Sequence, residues 1–220
     1  MPLYFIMITV KYFTFNPVAE NTFVLHDETH ECVIVDAGCF TLQEKAILKD
    51  YITDKKLKPV LLLCTHTHFD HIMGNKFIYD TYGLKPIVHK EELFILESQE
   101  DVAKKYGIAF EHSPMPEKFI NEGDEVKFGN STLKVLYTPG HSPGHVAFYN
   151  AENKFVINGD VLFKGTIGRT DIPLANYSDL EHSIKHKLYT LPDDTTVYTG
   201  HGPVTNIGYE KTHNMFVNAD

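Results

Sequence analysis

The stretch from Pro59 to His71 constrains this chain more than any other. Five apolar residues, Val60-Leu61-Leu62-Leu63-Cys64, run without a polar interruption. Such a run reads as a strand buried on both faces, as in parallel sheets. At Thr65 the pattern breaks, and His66, His68, Asp70 and His71 follow within six residues. Imidazole nitrogen and carboxylate oxygen both suit Zn²⁺. Residues two apart in an extended segment point the same way, so His66 and His68 share a direction. Asp70 and His71 fall where the chain turns toward a helix and can face a second point. One short loop can therefore supply two adjacent metal ions. A purely structural role would leave four polar side chains beside a buried strand with no charge partner nearby, which their desolvation opposes.

Composition narrows the setting. With 220 residues, 43% hydrophobic and 22% charged, the chain can bury most of its surface without disulfide staples. Residues 1–220 are expected to form a single domain. Cys32, Cys39 and Cys64 are an odd set with no Cys-x-x-Cys pair. Cys32 and Cys64 stand in apolar runs, where a buried, inert thiol is expected, and the set points to a reducing, cytoplasmic setting. The net charge of −9, from 20 basic and 29 acidic residues, counts against nucleic acid as the main partner. The opening segment MPLYFIMITV has neither the basic flank nor the cleavage site of a signal peptide. It is far shorter than the ~20 residues of a membrane span, so it reads as a first strand. The expected partner is a small-molecule substrate, with no membrane association and a monomeric or homodimeric state.

Along the chain, strands are expected at Ile8–Phe15, Thr22–His26 and Cys32–Asp36, the last two as a hairpin. Thr41, with Glu44 three residues on, predicts a capped helix to about Lys55. Its apolar face is read as Leu42, Ala46, Ile47 and Tyr51. Further helices are predicted over Ile72–Tyr82, from Glu91, and over Ser178–Leu191 with a serine cap. The weak periodicity of 98–116 reads as a long loop with some helix. Strands follow at Ile87–His89, Glu125–Phe128, Thr132–Thr138, Val146–Tyr149, Phe155–Asn158 and Thr196–Thr199. The two halves look alike in kind, and a duplicated αβ unit would place two sheets face to face with helices outside.

Three more ligand candidates stand at strand ends flanked by glycine or proline: His141 in Thr-Pro-Gly-His, Asp160 in Asn-Gly-Asp, and His201 in Gly-His-Gly. Glycine beside a ligand lets the backbone approach closely. Each alone is weak evidence; with the first cluster they make five histidines and two aspartates. His145, four residues after His141, reads as a support that fixes the loop by a hydrogen bond. His89 reads as polar packing.

The His-x-His-x-Asp-His motif, followed by single His, Asp and His at increasing distance, resembles the metallo-β-lactamase superfamily over essentially the whole chain. The resemblance implies an α+β fold, a four-layer αββα sandwich with two divalent metals at one edge, zinc first, with iron or manganese as alternatives. It implies that His66, His68 and His141 hold one metal, that Asp70, His71 and His201 hold the other, and that Asp160 bridges them. Asp70 would also orient the attacking water as a catalytic residue. Asp70, and the lack of cysteine at position 160, point away from a true β-lactamase. The segments Gly159-Asp160-Val161-Leu162-Phe163, Gly168-Arg169-Thr170-Asp171 and Gly200-His201-Gly202-Pro203 resemble glyoxalase II-like thioesterases. The sequence ends 19 residues after His201 and is expected to lack the C-terminal helical region that grips glutathione in those enzymes. The resemblance therefore implies a hydroxyacylglutathione hydrolase-like thioesterase acting on S-lactoylglutathione or another thioester. The rivals are a mononuclear-iron persulfide dioxygenase, using His66, His141 and Asp160, and a lactone hydrolase. Arg169 is a weak substrate-binding candidate; pairing with Asp171 to brace its loop is the favoured reading.

Overall fold

The computed structural model describes residues 7–218. Strands β1 (Thr9–Phe15), β2 (Glu20–His26), β3 (Glu31–Val35), β4 (Lys58–Leu63), β5 (Pro86–Val88) and β6 (Lys118–Phe119) form one sheet in chain order. A second sheet comprises β7 (Glu125–Phe128), β8 (Ser131–Tyr137), β9 (Val146–Asn150), β10 (Phe155–Gly159), β13 (Thr196–Thr199) and β14 (Thr205–Asn206), in the order β14-β13-β10-β9-β8-β7. Between β10 and β13 lies a small hairpin, β11 (Leu162–Phe163) and β12 (Thr166–Ile167).

Period-two alternation decides what each face meets. Phe23, Leu25, Val33, Val35 and Leu63 turn inward from the first sheet and pack against Val126, Phe128, Leu133, Val135, Phe148 and Ile157 of the second. The intervening Val24, Ile34 and Leu62 face outward, onto Leu48 and Ile52 of helix α1 (Leu42–Asp54) and Ile78 of α3 (Asn75–Tyr82). Across the molecule Leu136, Ala147, Val156 and Val197 pack on Leu180 of α5 (Tyr177–Ser183), on Ile184 and Leu188 of the π-helical turn that continues it, and on Ile207 of α6 (Ile207–His213). The result is the expected αββα layering. Each fully buried Leu, Ile or Phe contributes about 1.5–3 kcal/mol.

Direction matters for the site. β3, β4, β5 and β6 run parallel, as do β10 and β13. Their carboxyl ends therefore deliver Asp36, Thr65, Asp160 and His201 to one edge, where open α/β sheets place their ligands.

Several local expectations are corrected. The capping box at Thr41 and Glu44 is present. The buried face of α1, however, is Leu48 and Ile52, whereas Leu42 is 86% and Ile47 42% exposed. Only the second half of this helix lies against the sheet, so its early apolar residues never reach the core. The helix expected over 72–82 is two pieces, α2 (Phe69–Ile72) and α3, broken at Met73-Gly74. Gly74 N–H donates to Ala37 O at 2.6 Å, and a Cβ there would meet Cys39 Sγ at 2.5 Å. Close packing against the 37–39 loop thus interrupts the helix.

In the segment from Ser98, read as a long loop with some helix, the helical part runs to Lys105: α4 spans Leu93–Lys105, and its Gln99 and Ala103 are buried one and two turns after Ile95. A polar Gln in the core is what hid that periodicity. The Ser178 cap is replaced by Asn176, whose side chain accepts Asp179 N–H at 3.2 Å. β4 is well buried only near its C-terminal end, with Lys58 exposed. β11, β12, β14 and α6 had no periodic signal. Residues 1–6 of the opening apolar run lie outside the described residues; from Thr9 the run is β1. Among the described residues no helix is long and apolar enough to cross a membrane.

Candidate metal centre

The edge where the strands end gathers all seven candidate ligands. His66 follows β4, and its Nδ1–H donates to Thr65 Oγ1 at 3.0 Å. His71, in α2, donates through Nδ1 to Asp36 Oδ2 at 3.1 Å. His141 Nδ1–H bonds Arg169 O at 3.0 Å, and His201 Nδ1–H bonds Val18 O at 3.1 Å. In each case one ring nitrogen is held by an acceptor, which orients the other toward the centre; that of His201 lies 3.1 Å from Asp70 Oδ2 and would release the proton it shares there on binding a cation.

Those second nitrogens converge. His68 Nδ1 and His141 Nε2 are 2.9 Å apart. His66, His68 and His141 each place one ligand atom within 4.8 Å of the others, and so do Asp70, His71 and His201. Asp160 stands between the two groups: its Oδ1 is 3.5 Å from His71 Nε2, and its Oδ2 is 3.5 Å from both His141 Nε2 and His201 Nε2. Asp70 Oδ2 lies 3.1 Å from His201 Nε2 and 3.6 Å from His71 Nε2. A third grouping of Asp36, His66 and His71 also meets the distance test. Asp36, though, already accepts from Thr65 N, Thr65 Oγ1 and His71 Nδ1, which leaves it a supporting role.

Three buried polar atoms have no hydrogen-bond partner among the described residues and belong to this centre: His66 Nε2, His71 Nε2 and Asp160 Oδ1. An unsatisfied buried polar group costs about 1–3 kcal/mol. Three of them aimed at one place fit a bound cation, and the mixed N/O donor set suits a divalent metal.

The electrostatics differ across the centre. Burial, then the neighbouring imidazoles, push His66 far below its ordinary value and His68 down to about 3. His141 is lowered by burial. For His71 burial acts downward, but the Asp160 and Asp70 carboxylates outweigh it and raise the imidazole well above normal. His201 is likewise raised, its hydrogen bond to Asp70 and the Asp160 charge overcoming burial. Asp160 is held far below the carboxylate range, because His71, His201 and His141 outweigh its desolvation.

Close backbone approach makes this possible. A Cβ on Gly200 would fall 2.1 Å from Asp160 Oδ1. Gly159 has φ +53°, and a Cβ there would meet Thr65 Oγ1 at 2.5 Å and His145 Nε2 at 2.6 Å. His145 is the expected support: its Nδ1 bonds Thr138 Oγ1 at 3.0 Å and its Nε2 accepts Asp160 N–H at 3.1 Å. Arg169 forks onto Asp171 at 2.9 and 3.1 Å, with both side chains exposed. His89 stacks on Tyr137 at 4.7 Å. The three cysteines are buried, and burial pushes Cys32 and Cys39 up to about 12.

Three residues went unrecognised in the sequence. Asp36 ends β3 with φ +52° and ties Thr65 to His71; its Asp-Ala-Gly setting read only as a strand stop. Glu20, fully buried, has Oε1 3.9 Å from His71 Nδ1. Glu92, also fully buried, bonds Thr67, Ser142 and Gly144. A lone Glu near a strand or turn carries no signal that it is buried.

Comparisons with known proteins agree with this architecture. The family model of the metallo-β-lactamase superfamily matches residues 15–201. A Bacillus subtilis protein described as probable metallo-hydrolase YqgX is 37% identical over 92% of this chain and 94% of its own. Hydroxyacylglutathione hydrolase GloC of Haemophilus influenzae is 35% identical over 91% of this chain and 93% of its own. Among solved structures, the BLEG-1 B3 metallo-β-lactamase has TM-score 0.87 at 32% identity, covering 95% of this chain and 99% of that one. TTHA1623 in a di-iron-bound form has TM-score 0.85 at 36% identity, covering 94% and 100%. The chain therefore belongs to the metallo-β-lactamase superfamily and is a metallo-hydrolase.

Proposed function

We propose that this metallo-hydrolase is a thioesterase of the hydroxyacylglutathione hydrolase kind, with two divalent metals held by the seven residues described. His66, His68 and His141 would hold one, Asp70, His71 and His201 the other, and Asp160 both. Zinc suits this donor set; the di-iron form of TTHA1623 makes iron the main alternative. The convergence of Asp70, His71 and His201 carries the reading, because a single iron on His66, His141 and Asp160 would leave that group without a purpose.

When bound, such a metal pair supplies a water activated near neutral pH and polarises a substrate carbonyl. The chain's own residues do the rest. Asp70 would accept the hydrogen of the attacking water and so orient it; its Oδ2 is fixed 3.1 Å from His201 Nε2 at the edge of the centre. Asp160 balances the cationic charge between the two groups. The Nδ1 bonds of His66, His71, His141 and His201 fix ring orientation, so little reorganisation accompanies reaction. A thiolate leaves with a reference pKa near ~8.5 and needs no strong general acid. Similarity to GloC supports a thioester substrate. The Arg169 fork is taken by Asp171, so no substrate contact is assigned to it.

The test is metal quantitation on the purified protein together with a substrate panel: S-lactoylglutathione, other thioesters, a lactone, a persulfide and a β-lactam. Two metals per chain and thioester turnover are expected. One iron per chain with O₂ uptake on the persulfide would replace the thioesterase reading with the dioxygenase one.

A further inference from the structure

The reaction as described leaves one buried group beneath the centre with a full set of contacts and no assigned task. Glu92 ends a single 3₁₀ turn, Lys90–Glu92, that leads into α4, and it has no exposed surface. Its Oε2 accepts from Thr67 N–H at 2.8 Å and Thr67 Oγ1 at 3.0 Å. Its Oε1 accepts from Ser142 Oγ at 2.6 Å and Gly144 N–H at 2.8 Å. One oxygen thus grips the loop carrying His66 and His68, and the other grips the loop carrying His141. Those loops are 73 residues apart along the chain, yet His68 Nδ1 and His141 Nε2 meet at 2.9 Å. The second loop is shaped to the carboxylate: a Cβ on Gly144 would meet Glu92 Cγ at 2.8 Å and its Oε1 at 3.0 Å.

We propose that Glu92 is a positioning residue for the His66, His68 and His141 metal position, clamping the two ligand-bearing loops at the separation that one ion requires. The inference rests on the two-metal reading above. All four partners donate, two of them backbone N–H groups, one on each oxygen. A carboxylate answers them with acceptors only. Glutamine offers a single acceptor oxygen and turns an NH₂ toward the other backbone N–H, so one loop loses its anchor. Aspartate keeps the charge but is one methylene short of spanning both loops.

The experiment is titration of the metal-free full chain with Zn²⁺ against a competing chelator, alongside thermal unfolding by circular dichroism. In folded Glu92→Gln and Glu92→Asp, one metal equivalent is expected to weaken ten- to a hundredfold, the usual effect of removing support behind metal ligands. The other equivalent should stay within about threefold. His68→Ala identifies the affected position: in that background Glu92→Gln adds no further loss, since coupled residues are not additive. A general structural role would weaken both equivalents alike, and that result overturns the proposal, as does a folded Glu92→Gln with unchanged affinities. Should Glu92→Gln fail to fold, Ser142→Ala decides, because it removes one of the four ties. A three- to tenfold weakening at the same position supports the clamp, and unchanged binding overturns it. Wild-type protein that takes up no Zn²⁺ would bring down the metal-centre reading itself, whereas wild-type uptake matched by Glu92→Gln brings down the clamp alone.

Discussion

The two groups of candidate ligands at the sheet edge are built on opposite principles. The His66, His68 and His141 group is all imidazole, and burial keeps each ring neutral and lowered. Its loops are tied together from below by Glu92. The Asp70, His71 and His201 group mixes anionic and protonatable members, with two imidazoles raised by Asp70 and Asp160. Each group has two buried members and one partly exposed one; in the second that member is His201, whose ring rests on the Val18 and Ala19 carbonyls. The first position offers neutral imidazole lone pairs, whereas at the second the Asp70 and Asp160 carboxylates attract the cation and His71 and His201 must give up their protons to bind it. Glu92 ties the loops of the first position together, and its rings need lose no proton to bind, so the first position should fill first and empty last.

Asp160 faces both groups, and its removal should have the largest effect. Asp160→Ala is expected to lose more than about 100-fold in kcat/KM, beyond the usual reach of a supporting residue, and to bring metal content below that of the wild type. Elemental analysis and thioester kinetics check both, and normal turnover would mean that the site has been misplaced. The two positions separate in His201→Ala, which should retain one metal per chain, while His66→Ala should weaken the tighter equivalent; the reverse pattern would invert the ranking of the two sites. Asp36→Asn comes next. It withdraws an acceptor from Thr65 or His71 and should cost about 10–100-fold in metal affinity, read by chelator competition.

A smaller effect concerns pH. His68, near 3 when folded against about 6.5 when unfolded, binds fewer protons in the native state. Stability from this source is therefore present above about 6.5 and is lost as pH falls toward 3. His71 and His201 act oppositely: their contribution is present below about 6.5 and is lost as pH rises through their raised folded values. Metal-free His68→Gln should accordingly lose about 1 kcal/mol less than wild type per pH unit below 6 in urea unfolding. The smallest change is Arg169→Ala. Breaking an exposed, solvent-screened pair with Asp171 should leave stability almost unchanged, and metal content should not move; a large loss of affinity would show that the loop's side chains, and not only its carbonyl, hold His141.

Much of this was legible along the chain. The strands, the capping box at Thr41 and Glu44, and the close grouping of His66, His68, Asp70 and His71 are local patterns with a spacing of two to four residues, and they survive folding unchanged. The errors arose where local pattern met tertiary demand. The apolar residues at the start of α1 point to solvent because only half of that helix meets the sheet. The helix after His71 breaks because Gly74 is pressed against Ala37 and Cys39. The helical run through Gln99 and Ala103 was hidden because a buried polar residue looks like a loop residue until its partner is known, here Phe69 N–H.

The sequence by itself therefore determined which atoms can hold metal and which strand ends carry them, since ligand chemistry and side-chain period are properties of the covalent chain. Only the tertiary structure decided that His66, His141, Asp160 and His201 meet, that Asp36 and Glu92 stand behind them, and that the imidazoles of one position are lowered while those of the other are raised by carboxylates. Those facts depend on two sheets stacking with parallel strands ending at the same edge, and on burial that shifts each imidazole by what surrounds it. Neither is written in the spacing of any single segment.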